Sequence, residues 1–167
     1  MHSFNGESRA SPLVRIALPM EPSPGSGSAA PRVDEPAGPI GLHILVVDDE
    51  IEVADLLQEV LQRRGHHVAT ACDGRLALDR LGERTYDLIL CDVTMPVLDG
   101  PGLYREIERV HPGLERRILF MTGDNLGADV RQFLERSGMP ILSKPFDQAD
   151  VMRAINRAAT QAAVRPA

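Results

Sequence analysis

The stretch HILVVDDE, residues 43–50, decides the fold. Its first five residues form an apolar run with no polar face, which is typical of a strand buried on both sides of a sheet. Two acids end this run. Apolar residues then recur at helical spacing as far as Gly65, which predicts a helix that ends at this glycine. A buried strand, a polar turn and a helix make up the repeating unit of α/β proteins.

The same unit recurs four more times along the chain. Each further strand is short and apolar, and a segment with helical periodicity follows it. Five strands that alternate with five helices predict a parallel sheet with helices on both faces. The further predicted strands are residues 68–71, 88–91, 117–121 and 140–143, and the further helices are residues 74–81, 102–110, 128–136 and a last one capped by Asp147.

Residues able to do chemistry stand where four of the predicted strands end. Asp48 and Asp49 follow the first strand, and Asp92 follows the third. Thr122 ends the fourth strand and Lys144 follows the fifth. Because ligands bind at the carboxyl ends of the strands in such sheets, we expect these side chains to share one cleft.

Three carboxylates in one cleft require a positive partner. Two unit charges about 4 Å apart repel by about 4 kcal/mol at an effective dielectric of about 20. Mg²⁺ suits the acids because it prefers hard oxygen ligands, while Lys144 adds a cation and Thr122 a hydroxyl donor. This set suits a phosphoryl group, whose charge spreads over its peripheral oxygens. One carboxylate would be the nucleophile and an aspartyl phosphate the product.

Each of these residues also has an ordinary structural interpretation. An acid pair after a strand is most often a helix N-cap, and a threonine at a strand end is usually a turn residue. A lone Lys-Pro pair usually has no function. The joint placement at four strand ends, in the right order, favours the functional interpretation.

Four segments resemble the receiver domains of bacterial response regulators and hybrid histidine kinases. The resemblance spans residues 42–159 and implies a flavodoxin-like, doubly wound (βα)5 three-layer sandwich, with a five-stranded parallel sheet in the order 2-1-3-4-5. The segments are VVDDE at 46–50, LILCDVTMPVLDG at 88–100, FMTGD at 120–124 and LSKPF at 142–146.

The resemblance also implies a role for each acid. Asp92 would be the phosphoacceptor and would take its phosphoryl group from a phosphohistidine. Asp49 and Asp92 would bind Mg²⁺ directly, and Asp48 would act largely through water. The backbone carbonyl of Thr94 would supply a further ligand.

Thr122 and Lys144 complete the catalytic set that the resemblance implies, since Thr122 would move toward the phosphoryl group and Lys144 would pair with it. The family usually carries an aromatic switch residue three positions before this lysine, where this chain has Ile141. A buried β-branched side chain has little rotamer freedom, so we expect the aromatic part of the switch to be missing. The signal would then run through the loop after Thr122 and the fourth helix, or the domain would be a relay that needs little switching. Thr94 and Asp124 occupy positions that tune dephosphorylation in the family.

A histidine kinase or a histidine phosphotransfer protein is the partner that the resemblance implies. It would dock a helical bundle over the carboxyl edge of the sheet, with Ile51, Pro145 and Phe146 as candidate apolar contacts. Local packing of these three residues is the alternative. The bond between Lys144 and Pro145 is expected to be cis, and a homodimer through the fourth and fifth helices stays open.

Composition divides the chain near Gly41. Residues 1–41 hold seven of the thirteen prolines and are interpreted as a flexible tail or linker, because such a segment buries little apolar area. Within it, residues 7–19 resemble the last strand of a histidine kinase domain. A receiver is predicted at 42–160 and a tail at 161–167, too short for a DNA-binding module. We therefore expect either a stand-alone receiver or one end of a larger chain such as a hybrid kinase.

Charge and hydropathy argue against several classes of protein. A net charge of −6 makes nucleic acid a poor partner. No apolar run approaches the ~20 residues that cross a bilayer, so we expect no membrane contact by this segment and a cytoplasmic location. Cys72 and Cys91 lie in apolar, strand-like stretches and are predicted to be buried free thiols.

Two other functions are alternatives to a phosphoacceptor. One is an interaction module that works without phosphorylation, and the other is an enzyme on a phosphatase-like or flavodoxin-like sheet. A phosphatase would carry a second Asp two residues past its nucleophile, where Thr94 stands, and a flavin site would carry a hydroxyl and glycine loop where the acids stand. We therefore expect a receiver that catalyses its own phosphorylation and dephosphorylation, and no separate enzyme activity.

Overall fold

The computed structural model describes residues 38–123 and 125–164, and it confirms the alternation of strands and helices. Asp124, residues 7–19 and most of the predicted N- and C-terminal tails lie outside these residues. The strands are β1 (His43–Val47), β2 (His67–Ala71), β3 (Leu88–Asp92), β4 (Ile118–Thr122) and β5 (Ile141–Ser143). The helices are α1 (Ile51–Arg63), α2 (Gly74–Glu83), α3 (Gly100–Val110), α4 (Ala128–Ser137) and α5 (Gln148–Val164).

All strand pairs are parallel, and the sheet has the predicted order β2-β1-β3-β4-β5. Two apolar clusters cover its faces because side chains alternate along each strand. On one face Leu45 and Ile89 pack with residues of α2, α3 and α4. On the other face Ile44 and Leu90 pack with residues of α1 and α5. The fold is therefore the predicted three-layer sandwich.

Short polar residues and glycines set the ends of several helices. The carboxylate of Asp73 accepts N–H bonds from Arg75 and Leu76 at the start of α2. Asp99 accepts one from Gly102 at 2.7 Å, so α3 begins at Gly100, two residues earlier than predicted. These acids satisfy backbone donors that a helix leaves without partners. Gly138, at a φ of 63°, ends α4 as expected of a glycine after a helix.

The structure corrects three predictions. Cys72 is exposed, because it follows the last residue of the edge strand β2, whereas Cys91 is buried as predicted. Arg117 belongs to a 3-10 turn over Leu114–Arg117, where its side chain donates to the carbonyl of Tyr86, so β4 begins one residue later. Ile141 is 46% exposed and not buried, because β5 is the other edge of the sheet and directs this side chain outward. Among the described residues, no helix is long and apolar enough to span a membrane.

Candidate active site

The register of the central strands brings the principal acids together. Val47 of β1 pairs with Cys91 of β3, so the next residues, Asp48 and Asp92, stand side by side at the carboxyl edge. Lys144 follows β5, and its backbone N–H donates to the carbonyl of Thr122 at 2.6 Å. The parallel topology alone thus carries four predicted site residues to one edge.

Asp48, Asp49 and Asp92 form the expected carboxylate cluster. One oxygen from each of the three side chains lies within 4.8 Å of the others. Asp48 and Asp92 are buried, whereas Asp49 is exposed. The cluster therefore has one open side, through which an ion or a phosphoryl group can reach it.

A single ammonium group joins the acids. The Nζ of Lys144 lies 3.0 Å from Asp48 Oδ2 and 3.1 Å from Asp92 Oδ1. It also lies 3.2 Å from Oε1 of Glu50, a contact that the sequence analysis did not predict.

Backbone donors orient the two buried carboxylates. The N–H of Glu50 donates to Asp48 Oδ1 at 2.9 Å, and the N–H of Thr94 donates to Asp92 Oδ2 at 3.1 Å. Each carboxylate therefore has one oxygen on the backbone and the other on Lys144. This arrangement fixes Asp92 without using side chains other than the lysine.

Burial and charge compete at these groups. Burial raises the pKa of Asp92 above its ordinary value; Lys144 and the Thr94 N–H act in the opposite sense, and the charge of Asp48 adds to the rise. Burial likewise raises the pKa of Asp48, against the Glu50 N–H and Lys144. For Lys144, burial lowers the pKa, but bonding to Asp48 and the charges of Asp92 and Asp48 outweigh it, so its pKa is well above the ordinary value. Lys144 therefore stays protonated, and its single positive charge does not fully compensate the two buried carboxylates.

The donor set fits a hard divalent cation. The site holds the carboxylates of Glu50 and of three Asp residues but a single ammonium group, and within the described ranges Asp49 has no ion-pair partner. Carboxylate oxygens on an open-sided cluster are the ligands that Mg²⁺ prefers when it keeps several waters. A divalent ion would offset most of the excess negative charge.

A cleft of about 400 Å³ opens over the acids. Four of its lining residues were not predicted as site residues, namely Glu50, Gly123, Asn125 and Leu126. Glu50 belongs to the VVDDE segment, so the sequence indicated that it lies near the site. Its contact with Lys144 had no signal in the sequence. The lining residues are Asp49, Glu50, Asp92, Thr94, Gly123, Asn125, Leu126 and Lys144.

The predicted switch residues lie at the edge of this arrangement. Thr122 is buried, and its hydroxyl donates to the carbonyl of Gly123 at 3.1 Å. Ile141 lies on the exposed edge of β5. Of the candidate partner contacts, Ile51 is 69% exposed and Pro145 is exposed, whereas Phe146 packs partly against the core. The bond before Pro145 is cis, as expected.

The loop between β3 and α3 closes tightly behind Asp92. Val97 has a φ of 67°, and the N–H of Leu98 donates to the carbonyl of Pro96 at 2.7 Å, which makes a γ-turn. Gly100 lies so close to the β3 backbone that a Cβ there would be 2.8 Å from the carbonyl oxygen of Asp92. The loop therefore packs directly on the backbone of Asp92.

The fold is the one that the sequence resemblance implies. The chain belongs to the response regulator receiver domain family, which it matches over residues 44–156. It is 35% identical over 117 residues to the transcriptional regulatory protein ZraR of Escherichia coli O157:H7, covering 70% of this chain and 26% of that protein. The chain thus spans about a quarter of the length of this curated relative.

Solved structures agree with this assignment. The receiver domain of sensor histidine kinase PA1611 from Pseudomonas aeruginosa PAO1 has a TM-score of 0.63 and 33% identity, over 72% of this chain and 98% of that one. It is described with a magnesium ion coordinated in the active site cleft. Chemotaxis protein CheY4 of Vibrio cholerae has a TM-score of 0.63 and 28% identity, over 71% of this chain and 98% of that one.

These relatives bear on two earlier predictions. They include a transcriptional regulatory protein and the receiver domain of a sensor histidine kinase, so the expectation of a hybrid kinase as the parent chain stays a prediction. The expectation that this segment binds no nucleic acid stays a prediction.

Proposed function

We propose that Asp92 accepts a phosphoryl group from a phosphohistidine of a histidine kinase or phosphotransfer protein, with Mg²⁺ held beside it. One observation carries the proposal. The Asp92 carboxylate lines an open cleft, with one oxygen on the Thr94 N–H, the other on Lys144, and two more acids within 4.8 Å.

The chemistry is an in-line displacement at phosphorus. An oxygen of Asp92 forms the new P–O bond while the P–N bond to the donor imidazole breaks, and the imidazole keeps the electron pair and takes up a proton. Lys144 pairs with the charge on the peripheral phosphoryl oxygens, and its raised pKa keeps it protonated. The hydroxyl of Thr122 would turn from the Gly123 carbonyl to a phosphoryl oxygen.

The acids provide the metal site. Asp49 and Asp92 would bind Mg²⁺ directly, Asp48 would act through water, and the Thr94 carbonyl would complete the protein ligands. When bound, the ion supplies positive charge for the phosphoryl oxygens. Water attack on the aspartyl phosphate at the same site would reverse the modification, at a rate set in part by Thr94 and Asp124.

The donor would approach over the carboxyl edge of the sheet. Ile51 is mostly exposed at the start of α1, and Pro145 is exposed beside Lys144. Each directly follows a residue that lines the cleft, so the two would present apolar surface beside it to a helical partner. Phe146 packs partly against the core, so it would hold the adjacent Pro145 in position for this contact.

Incubation with acetyl phosphate and Mg²⁺ tests the proposal by intact mass. We expect one phosphoryl adduct that hydroxylamine removes, that needs Mg²⁺, and that is lost in Asp92→Asn. Asp55→Asn, on the exposed side of α1, is the matched control and should be modified like the wild type. An unmodified wild-type protein, or an adduct that persists in Asp92→Asn, contradicts the proposal.

The alternative, an interaction module that works without phosphorylation, makes the opposite prediction. It requires partner binding to be the same in wild type, phosphorylated wild type and Asp92→Asn. We expect phosphorylation to change partner affinity and Asp92→Asn to stay at the unphosphorylated value.

A further inference from the structure

The Lys144 ammonium makes three short ion pairs in the described structure. An ammonium group has three N–H donors, and three carboxylates lie within 3.2 Å of its nitrogen. Two of these side chains, Asp48 and Asp92, are 0% and 9% exposed. The third, Glu50, is 64% exposed.

The backbone of Glu50 is held in place while its side chain is directed to the lysine. Its N–H donates to Asp48 Oδ1, and its carbonyl accepts the N–H groups of Val53 and Ala54 at the start of α1. Glu50 is the N-cap residue, yet within the described part of the chain its side chain makes no capping bond. Glutamate is not among the preferred capping residues. The carboxylate is therefore directed to Lys144 and the cleft.

A phosphoryl oxygen on Asp92 can take over the contact of Asp92 Oδ1 with Lys144 only if the ammonium turns toward it, and this turn must loosen its contact with Asp48 or with Glu50. Releasing Asp48 would leave a buried carboxylate without its cation, which is costly. Releasing Glu50 costs little, because its carboxylate returns to water. While it remains in place, its negative charge lies beside the site that an anionic phosphoryl group must enter.

On these grounds we infer that Glu50 is a positioning residue that holds Lys144 in the unphosphorylated state and slows phosphoryl uptake at Asp92. The inference rests on the proposed function and adds a residue that lowers the rate of phosphorylation at the same site. The contact breaks when Lys144 turns to the phosphoryl group.

The rate of adduct formation from acetyl phosphate, at saturating Mg²⁺, tests this. Glu50→Gln removes the charge, and Glu50→Asp keeps the charge but shortens the side chain away from Lys144. Glu52→Gln, in the exposed first turn of α1, is the control for net charge. Partly exposed ion pairs are weak, so we expect both Glu50 variants to react about threefold faster than wild type, and Glu52→Gln to be unchanged.

A binding measurement distinguishes this effect of Glu50 on Lys144 from a general change in the stability of the protein. Beryllofluoride mimics the phosphoryl group on the carboxylate without chemistry, and we expect about threefold tighter binding in both Glu50 variants at an unchanged melting temperature. Equal rates in wild type and both variants overturn the inference, as does slower uptake in Glu50→Gln. Acceleration by Gln but not by Asp also overturns it, since charge alone would then act. A wild-type protein with no adduct instead contradicts the proposed function itself.

Discussion

At the residue scale, the site buries carboxylate groups in positions where a protein interior usually holds apolar or neutral side chains. Asp48 and Asp92 are almost fully buried, and their pKa values are raised although Lys144 contacts both. A carboxyl group with a raised pKa binds protons more tightly in the folded state than in the unfolded chain. Its contribution to the free energy of unfolding therefore falls as pH rises from the ordinary value of 3.8 through the raised folded-state pKa.

Asp92→Asn should therefore stabilise the metal-free protein at pH 7. The amide is neutral and nearly isosteric, so burial no longer opposes a charge, and we expect the free energy of unfolding to rise by about 0.5–2 kcal/mol. Urea denaturation with EDTA measures this. The gain should shrink as pH falls toward 4, because the wild-type carboxyl group then takes up a proton. Mg²⁺ should stabilise the wild type more than the variant, and a variant less stable than wild type at pH 7 would contradict this account.

The sequence predicted some site residues better than others. Asp48, Asp92 and Lys144 were found because strand ends in a parallel sheet meet at one edge, which is a property of the backbone. The Glu50–Lys144 contact was missed because it depends on a side-chain direction that no periodicity encodes. Ile141 was predicted to be buried because edge and central strands look alike in so short an apolar run.

At the element scale, the loop from Pro96 to Asp99 connects β3 to α3 and contains backbone strain. Val97 is 81% exposed and β-branched, yet it adopts a positive φ, a region that such residues rarely occupy. The carbonyl of Leu98 in turn accepts the N–H of Gly74 at 3.2 Å. The loop thus links α2 to the strand that carries Asp92.

Val97→Gly should stabilise the protein. A positive φ costs of order 1–3 kcal/mol at residues other than glycine, and glycine adopts it without strain. The relief of this strain exceeds the opposing effect of glycine, which raises the conformational entropy of the unfolded chain. We expect a net gain of about 1 kcal/mol in chemical denaturation. Val97→Ala, which keeps the Cβ, should gain less than Val97→Gly. A loss of stability on Val97→Gly would show that the turn is not strained.

Two glycines of α2 give a matched pair of substitutions. A Cβ on Gly74 would lie 2.6 Å from the carbonyl oxygen of Leu98, whereas nothing lies within 4 Å of one on Gly82. We expect Gly74→Ala to destabilise by about 1–3 kcal/mol through overpacking, and Gly82→Ala to stabilise by up to about 1 kcal/mol through helix propensity. Thermal unfolding of both variants tests this, and equal effects would contradict the close approach of α2 to the loop.

At the scale of the whole molecule, the strand order and both helical layers follow from the sequence. The alternation of apolar strands with helices left few topologies, because crossovers between parallel strands are right-handed. The domain boundary is less well determined, since Gly38 lies against Asn156 of α5 and the Gly41 N–H donates to the Gly65 carbonyl. These contacts precede the predicted start at residue 42.

A fragment of residues 38–164 should therefore unfold in one cooperative transition, at the melting temperature of the full chain. A fragment of residues 42–160 should also fold, but it should be less stable, because it lacks the contacts of Gly38 and Gly41 and the end of α5. Calorimetry of both fragments measures this difference. A 42–160 fragment as stable as the longer one would show that these contacts contribute nothing.

The central claim is that Asp92 itself carries the phosphoryl group, and borohydride trapping tests it most directly. Borohydride reduces an aspartyl phosphate to homoserine, which mass spectrometry locates after tryptic digestion. We predict the mark at Asp92, in the peptide of residues 85–105, after treatment with acetyl phosphate and Mg²⁺. A mark at Asp99 of that peptide, a mark at Asp48 or Asp49 in the peptide of residues 33–63, or no mark at all would contradict the account.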